Sequence, residues 1–572
     1  MRQVAVVLLV MLWPWMQARA EARQLLGSAG ARPTYRIELD LDQGSLTYWG
    51  QETVRYVHTD GVASDVVWFL LAPNARTASS KDASPLLFVR RVKVDDEEVQ
   101  FQVHDSTRVE VTLPKLLAKG DEIRLELEFV GKVPPLDPML NTLPAHFTEQ
   151  IAQVINSRER RTYVDPPFFV SEQFTVLARF HPILAPRRNG QWYTQVTRTV
   201  DDEFCGEAAD YELLIRAPAG VMVHASGRAA AVRSEAGKRA WLWRGEGVRD
   251  VLVIAGLELD MVSEQVGPVE VQSFFLPDDE AVARQVLQYA AKAVAAYQSL
   301  FGPYPYQQLR LVATPLPAGR MSASASSLIA LARAYYVDFQ SPRGLALPGM
   351  IREHAELIQQ GLEFHVAYAV ARQWWGAVVA SDCRSAHFLD NTLATHAALR
   401  YYERNYGPEE RDAQVEAQLK AAYRVYRMFG GQDQSANQPV SRFKNNFQYT
   451  SIVHVKGALL LEALRQVVGE PQLTSALQQY YLNHLFGIAD ESALLRLLRR
   501  SAGQRSGQVA QLYERWIAWR RGDQDIGKPE YRIVVSAGIG PSDEGRPSAF
   551  EWLGRTIARQ MTRVGRYAVR PF

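Results

Sequence analysis

Between residues 35 and 259 the chain alternates apolar and polar residues, which is the pattern of half-buried β-strands. The clearest examples are 35–41, 109–113, 123–129, 211–215 and 251–254. Asp-Gly and Asn-Gly pairs separate several of these runs, as expected of turns. No helical period and no internal repeat stands out, so the pattern predicts an all-β segment without helices.

The period changes near Asp278, where acidic residues open a run with apolar positions at helical spacing. Further helical patterns cover 350–378, 391–404, 409–428, 452–468, 472–485, 491–500 and 506–520. Beyond Gly522 lie one strand pattern at 531–535, a Gly/Pro/Ser-rich stretch and a basic end. We therefore predict a multidomain α+β protein with an all-β domain at 21–262, a mostly helical domain at 263–522 and a short tail at 523–572.

Composition, charge balance and apolar runs limit the class of protein to which this chain can belong. The chain has 572 residues with 47% hydrophobic, 10% aromatic and 22% charged residues, which is typical of a globular protein. Its 64 basic and 62 acidic residues nearly balance. This balance gives no electrostatic reason to expect nucleic acid as a partner. Apart from the N-terminus, no long uncharged apolar run is present, which excludes a protein with many membrane spans.

The first twenty residues form a pattern of their own. Arg2 precedes an uncharged apolar stretch at 4–16, and Ala18-Arg19-Ala20 is a small-x-small cleavage motif. We predict a signal peptide at 1–20, cleaved near Ala20, and hence a secreted or periplasmic protein; an uncleaved membrane anchor is the alternative. The chain has two cysteines, Cys205 and Cys383, which lie far apart in sequence. We expect free or buried thiols rather than a disulfide between them.

Five short motifs share their order and separation with one enzyme family. They are FGPYPY at 301–306, PAGRM at 317–321, QWWG at 373–376, FLDNTLA at 388–394 and KGA at 456–458. Together they resemble the zinc aminopeptidases typified by aminopeptidase N, a group of gluzincin metallopeptidases. In the β half, 180–184 and 211–219 resemble the bacterial branch of that family. The resemblance covers about 35–520 and implies a saddle-like N-terminal β-sheet domain followed by a thermolysin-like, mostly helical domain.

The resemblance also implies a set of catalytic positions, and each is substituted here. The family needs H-E-x-x-H on a helix, a third zinc ligand after eighteen further residues, a carboxylate for the substrate's amine and a tyrosine for the oxyanion. In this chain the zinc-ligand positions are Tyr368, Arg372 and Asn391, and the general base position is Ala369. The amine-binding carboxylate position is Ser322, and the oxyanion tyrosine is replaced by His454.

These substitutions argue against zinc and against peptidase chemistry. Tyr368 and Asn391 are poor zinc ligands at neutral pH, and the permanent charge of Arg372 repels a divalent cation. Ala369 cannot transfer a proton. We therefore expect no metal or other cofactor. Zinc is expected only under the alternative hypothesis, in which ligands have been recruited from elsewhere.

The altered residues change what the cleft could bind. Arg320, Arg372 and His454 would present hydrogen-bond donors in place of acids, so a carboxylate could bind there. Alternatively, Arg372 pairs with a nearby acid, with Asp390 the first candidate, and only fills the former metal position.

The basic tail is a further candidate for contact with a partner. Leu553, Ile557 and Met561 share one face of a helical pattern, and Arg555 and Arg559 share another. Such a segment contacts an anionic membrane or packs on its own protein.

The sequence thus predicts an exported noncatalytic aminopeptidase-like protein that binds a peptide, a protein partner or a small anionic ligand. The alternatives are a divergent zinc metallopeptidase with relocated ligands and a folded domain of a larger envelope assembly.

Overall fold

A computed structural model describes residues 32–528, except 43, 79–82, 156–162, 197, 202–205, 236, 257 and 384–386. The predicted signal peptide at 1–20, the strand at 531–535 and the basic tail lie outside the described residues. Within the described part, no helix has the length and apolar character needed to cross a membrane.

The first half of the chain is built from strands that pair into several sheets. The largest sheet has the order β16-β17-β14-β1-β2-β8-β4-β5, in which β1 pairs parallel with β14 and antiparallel with β2. Two four-stranded sheets have the orders β15-β18-β10-β9 and β11-β3-β7-β6. The strands are β1 Thr34–Asp42, β2 Thr47–Val57, β3 Ser64–Leu70, β4 Leu87–Val94, β5 Glu97–Glu98, β6 Phe101–His104, β7 Arg108–Leu117, β8 Glu122–Lys132, β9 Phe168–Val170, β10 Phe174–Ala178, β11 Ile183–Leu184, β12 Arg187–Arg188, β13 Gln191–Trp192, β14 Ala209–Pro218, β15 Met222–Ala225, β16 Arg228–Glu235, β17 Lys238–Val248 and β18 Leu252–Gly256.

The alternation in the sequence has a direct structural cause. In β1 the side chains of Tyr35, Ile37 and Leu39 point inward and are at most 2% exposed, while their neighbours face outward. Each of the five predicted runs overlaps an observed strand. Burial of alternate apolar side chains is therefore what holds these strands in register.

The expectation of an all-β segment without helices was wrong at one place. Helix α1 covers Leu143–Ile155, between β8 and β9. Its buried residues Leu143, Phe147 and Val154 belong to the same apolar core as the second half of the chain. Helix α1 thus lies in a core that the second half of the chain shares with β9 and β10.

The second half combines one sheet with many helices. Strands β19 Asp260–Val266, β20 Val269–Phe275, β21 Gln308–Thr314, β22 Ser322–Ala325 and β23 Leu328–Ala332 form a sheet of order β19-β20-β21-β23-β22, so β22 is an edge strand. The short strands β24 Ala380–Ser381 and β25 Ile488–Ala489 pair with each other. The helices are α2 Glu280–Phe301, α3 Pro342–Leu345, α4 Gly349–Arg352, α5 Ala355–Ala371, α6 Phe388–Tyr406, α7 Pro408–Gln414, α8 Ala421–Met428, α9 Asn446–Tyr449, α10 Lys456–Val468, α11 Glu470–Asn483, α12 Glu491–Ala502, α13 Ser506–Ile517 and α14 Gly522–Asp525.

The predicted α+β fold is therefore confirmed: a β-rich N-terminal part precedes a mostly helical part. Two stretches of π-helix, Val415–Lys420 and Thr450–Val455, interrupt the helical part and continue directly into α8 and α10. Such wider turns are frequent at functional sites because they redirect side chains. The second of them forms part of the wall of a cleft between the two parts of the chain.

Candidate functional site

A cleft with a cavity volume of about 140 Å³ opens where β22, α5, α6 and the 450–455 turn meet loops of the N-terminal part. It brings together the three predicted cleft residues, Arg320, Arg372 and His454. Ser322, Tyr368 and Asn391, which the resemblance aligns with catalytic or zinc-ligand positions, also line it. Ala369 is fully buried behind the wall, where its carbonyl accepts a hydrogen bond from the Ser324 hydroxyl at 3.3 Å.

The last turn of α5 determines how two of these side chains lie. The backbone N–H of Arg372 donates to the carbonyl of Tyr368 at 3.0 Å, which is the i to i+4 bond of an α-helix. Residues 368 and 372 therefore share one face of the helix. Asn391, in the first turn of α6, lies opposite Tyr368. The three positions that the family motifs align with zinc ligands, 368, 372 and 391, therefore lie on one wall of the cleft.

Two of those positions form a closed hydrogen-bond network. The Tyr368 hydroxyl donates to Asn391 Oδ1 at 2.7 Å. Asn391 Nδ2 donates to Asp201 Oδ2 at 2.7 Å and to the Tyr449 hydroxyl oxygen at 3.0 Å. Asn391 is only 4% exposed, so these hydrogen bonds satisfy its polar atoms away from solvent. The network ties α5, α6 and α9 to the loop that carries Asp201.

The guanidinium of Arg372, in contrast, forms no hydrogen bond with the described residues. Its nearest carboxylate among the described residues is Asp390, with Nη1 and Oδ2 4.0 Å apart, which is too long for a hydrogen bond. The other oxygen of Asp390 accepts from the Ser381 hydroxyl at 2.6 Å. Burial raises the pKa of the Asp390 carboxyl, although Arg372 and Ser381 act in the opposite direction. Asp390 is thus a neighbour of Arg372, as predicted, but a loosely bound one.

Gly376 allows Arg372 to take this position. Its φ of +115° lies in a region that favours glycine, and a Cβ there would come within 2.8 Å of the guanidinium of Arg372. Any other residue would therefore be strained by its backbone and would collide with that side chain.

These residues do not fit a zinc ion. A tetrahedral site needs imidazole, thiolate or carboxylate donors, and here a cation occupies one ligand position while an internally bonded amide occupies another. In the part of the chain that the structure describes, no three His, Cys, Asp or Glu side chains are grouped as a metal site would require. We therefore assign no zinc-dependent step to this cleft.

Three histidines line the cleft, and all are neutral at physiological pH. Burial lowers the pKa of His365 and His454 to about 3 and that of His387 to about 4. His365 Nε2 lies 2.8 Å from the Ser322 hydroxyl, an arrangement that superficially resembles a nucleophile with its base. An imidazole with so low a pKa is a weak base, so this pair is better explained as a buried hydrogen bond.

The depressed histidine pKa values predict loss of stability in acid. An unfolded histidine takes up a proton below pH about 6.5, whereas folded His454 does so only near pH 3, so unfolding binds protons in between. Stability should therefore fall as pH drops through this window. We expect His454→Gln to reduce the slope of unfolding free energy against pH by about 1 kcal/mol per pH unit on average between pH 7 and 5, and by about 1.4 kcal/mol per pH unit at lower pH. Urea unfolding at pH 7, 6 and 5 measures it, and an unchanged slope would contradict the buried neutral state.

Several residues of the cleft were not found from the sequence. Asp201 and Tyr449 contact Asn391, and Ser381 contacts Asp390. Arg249 lines the same cavity. Arg249 donates to the carbonyls of Ala377 at 3.2 Å and Gly206 at 2.9 Å, so it ties the two parts of the chain together. No local motif marks these residues, since their importance follows from contacts between distant segments.

The expectation of two free thiols was also wrong. Cys383, on the wall of the cleft, is disulfide-bonded. The only other cysteine in the sequence is Cys205, which lies outside the described residues. The sequence gave no indication of this disulfide, because distance in sequence says little about distance in a folded chain.

Comparison with known proteins identifies the fold. Residues 345–516 match the model of the peptidase family M1 domain. The M1 zinc metallopeptidase from Deinococcus radiodurans superposes with a TM-score of 0.56 at 16% identity, covering 86% of this chain and 95% of that one. A variant of the same enzyme bound to a Tyr-Ser-Ala substrate gives 0.55 at 18%, with the same coverage.

A two-domain M1 zinc metallopeptidase variant bound to L-arginine gives a TM-score of 0.54 at 17% identity, again covering 86% and 95% of the two chains. No curated protein matches the chain. The resemblance carried by the sequence motifs is thus confirmed. Residues 345–516 are thus similar to the peptidase family M1 domain, and the solved structures show that the chain has the fold of M1 zinc metallopeptidases.

Proposed function

We propose that this chain is an exported, noncatalytic aminopeptidase-like protein that binds an anionic ligand through the inherited cleft. The observation that carries this proposal is the state of Arg372. Among the described residues, no acceptor forms a hydrogen bond with its guanidinium, and the nearest carboxylate oxygen is 4.0 Å away. The side chain is only 22% exposed. A partly buried guanidinium has five N–H donors, which need acceptors from water or from a ligand.

The loss of catalysis is supported by the residues at the former metal and base positions. Arg372 supplies a positive charge where the family places a zinc ligand, and Ala369 has no group that moves a proton. Ser322 and His454 likewise lack the carboxylate and the phenol of the family. The solved neighbours include a complex with a Tyr-Ser-Ala substrate, whose free amine would meet Arg372 unfavourably in this cleft.

Export is supported by two separate features. The N-terminal twenty residues have the pattern of a signal peptide. The disulfide of Cys383 is of the kind that persists in oxidising compartments such as the periplasm or the extracellular space. A peptide or protein partner remains an alternative to a small anion, because either could present a carboxylate to Arg372.

Metal analysis tests the noncatalytic proposal most directly. Protein purified without chelator should contain far less than one zinc per chain, and added zinc should leave its melting temperature unchanged, because Arg372 repels the ion. Inductively coupled plasma mass spectrometry and thermal shift measure the two quantities. Stoichiometric zinc together with aminopeptidase activity would overturn the proposal in favour of a divergent metallopeptidase.

Removal of Arg372 tests whether it only fills the metal position. A plug held by a tight buried ion pair would cost about 3–5 kcal/mol when broken. The 4.0 Å separation from Asp390 and the partial exposure instead predict a change of about 1 kcal/mol or less for Arg372→Ala. Urea denaturation of the two proteins measures the difference. A loss of several kcal/mol would show that the guanidinium is a structural plug and would remove the ligand from the proposal.

A further inference from the structure

Two tyrosine rings hold the imidazole of His454 in the wall of the cleft. His454 belongs to the π-helical turn 450–455, and it lines the cavity together with Tyr368 and Tyr449. Its ring centre lies 5.5 Å from that of Tyr368, and 5.7 Å from that of Tyr449 in an edge-to-face contact. Aromatic neighbours on two different elements restrict how the imidazole can turn. The fold therefore determines where its two nitrogens lie.

Thr395, on α6, favours one tautomer of this imidazole. Its hydroxyl donates to the carbonyl of Asn391 at 2.8 Å, so its single proton is already used. His454 Nδ1 lies 3.5 Å from the same hydroxyl oxygen, which can only accept there. This contact is long, but it favours the tautomer that carries its proton on Nδ1 and leaves a lone pair on Nε2. Because burial and the charge of Arg372 lower the pKa of His454 to about 3, Nε2 remains an acceptor at neutral pH.

The cleft thus contains an acceptor and a donor that lack a protein partner. Within the described part of the chain, no group forms a hydrogen bond with His454 Nε2 or with Arg372 Nη1, and both atoms are buried. The two residues line the same cavity, and the effect of Arg372 on the pKa of His454 shows that they are close. Buried polar atoms without a hydrogen bond cost free energy, which a ligand with both an acceptor and a donor would recover.

From these two atoms, we infer that the cleft recognises a small hydroxycarboxylate, whose carboxylate accepts from Arg372 and whose hydroxyl donates to His454 Nε2. This inference rests on the proposed function and specifies its ligand. A planar carboxylate matches the fork of N–H donors of a guanidinium. An anion without a donor would leave Nε2 without a partner, and an alcohol without a carboxylate would do the same to Arg372.

The size of the cavity limits how far apart the two ligand groups can be. Its volume of about 140 Å³ is close to that of a cavity of about 150 Å³ that accommodates benzene. The buried part of a ligand therefore has about six to ten non-hydrogen atoms. In an acid of this size, the hydroxyl lies on the first or second carbon from the carboxylate, as in lactate.

An ammonium group is a less suitable donor than a hydroxyl. It could also donate to His454 Nε2, but it would bring a second positive charge close to the guanidinium of Arg372. A hydroxyl donates without adding charge. The inference therefore distinguishes a hydroxy acid from the amino acid of the same shape.

Matched small acids test the inference by isothermal titration calorimetry on the full chain. Isobutyrate has a methyl group where lactate has its hydroxyl, and lactate should bind about tenfold more tightly because only lactate donates to Nε2. 2-Methoxypropionate keeps the oxygen without its proton and should bind at least about tenfold more weakly than lactate. Lactamide, which lacks the charge, and alanine, which carries an ammonium donor, should each also bind at least about tenfold more weakly.

Variants separate the acceptor from the donor. His454→Phe keeps an aromatic ring beside Tyr368 and Tyr449, and in this variant lactate should bind no more tightly than isobutyrate, whose affinity should not change. Arg372→Gln should instead lower the affinity for both acids at least about tenfold. His354→Gln changes a histidine that precedes α5 and does not line the cleft, so this matched control should change neither affinity. Circular dichroism checks folding. If His454→Phe does not fold, the comparison of lactate with isobutyrate on the unchanged protein carries the test.

The outcomes distinguish this inference from the proposed function. Equal binding of lactate and isobutyrate to the unchanged protein would overturn the inference and leave an anion-binding cleft. Tighter binding of 2-methoxypropionate, lactamide or alanine than of lactate would also overturn it, as would a preference for lactate that persists in His454→Phe. If no acid binds saturably, both the inference and the anionic ligand of the proposed function fail. The loss of catalysis is tested separately, by zinc content and aminopeptidase activity.

Discussion

Introducing the family's residues at positions 368, 369, 372 and 391 should give a variant that binds about one zinc ion. The variant combines Tyr368→His, Ala369→Glu, Arg372→His and Asn391→Glu. It replaces a cation and an amide by imidazole and carboxylate ligands on α5 and α6, the donor set that zinc prefers. Because residues 368 and 372 are joined by a helical hydrogen bond and Tyr368 already contacts Asn391 at 2.7 Å, the three ligands should converge.

Asp201 should lower the stability of this variant when no metal is bound. It lies 2.7 Å from the amide of Asn391, so a glutamate at 391 would place two carboxylates in contact. Like charges so close raise the pKa of one group and destabilise the apo protein. Zinc would relieve this repulsion. At a thousandfold excess over its dissociation constant, zinc should stabilise the variant by about 4 kcal/mol, which thermal shift and metal analysis would measure.

The matched control keeps the arginine. A variant with only Tyr368→His, Ala369→Glu and Asn391→Glu still has a guanidinium at the metal position, and it should bind no zinc. Peptidase activity is not expected from either variant, because Ser322 and His454 remain unsuited to bind an amine or to support an oxyanion. A folded four-position variant without zinc would mean that the helix register inferred from the QWWG motif is mistaken.

The sequence was most informative where a motif fixes a register. The Gln373-Trp374 pair places residues 368 and 372 one helical turn apart, and the spacing to Asn391 then follows from the family pattern. The structure brings Arg320, Arg372 and His454 to one cavity as predicted. Their roles in binding stay predictions until a ligand is measured.

Contacts between distant segments could not be predicted from one sequence. Asp201 is 190 residues away from Asn391, and Cys383 forms a disulfide that spacing did not indicate. The distance between Arg372 and Asp390 likewise depends on how α5 and α6 pack. Each of these results follows from tertiary packing rather than from local pattern.

Helix α1 was not predicted, although the sequence contains its helical pattern of apolar residues. Leu143, Phe147, Ile151 and Val154 are spaced at i, i+4, i+8 and i+11, as on one face of a helix. The surrounding β-pattern hid this short run. The helix matters for the cleft, since Gly319 lies against its residues Glu149 and Gln153 with no space for a larger side chain to fit freely.

The KGA motif at 456–458 was recognised by resemblance, and the structure supplies its physical reason. Lys456 is 1% exposed at the start of α10, and its ammonium donates to Asp433 Oδ1 at 2.8 Å. The same group donates to the carbonyls of Gln434 at 3.0 Å and Trp519 at 3.2 Å. All three of its N–H donors are thus satisfied, and they hold the end of the helical part against the 433–434 loop.

Truncating this lysine should therefore be among the most damaging single changes to stability. Lys456→Ala leaves the carboxylate of Asp433 buried without its cation, and breaking such a pair typically costs about 3–5 kcal/mol. Lys420→Ala is the matched control: its ion pair with Glu416 is exposed, and its removal should cost about 0.5 kcal/mol or less. Urea denaturation followed by circular dichroism measures both. The double variant Lys456→Met with Asp433→Asn should recover part of the loss, because it removes both charges together. Equal and small effects of the two single variants would show that Lys456 is solvated, and that the pair with Asp433 does not hold the C-terminal helices in place.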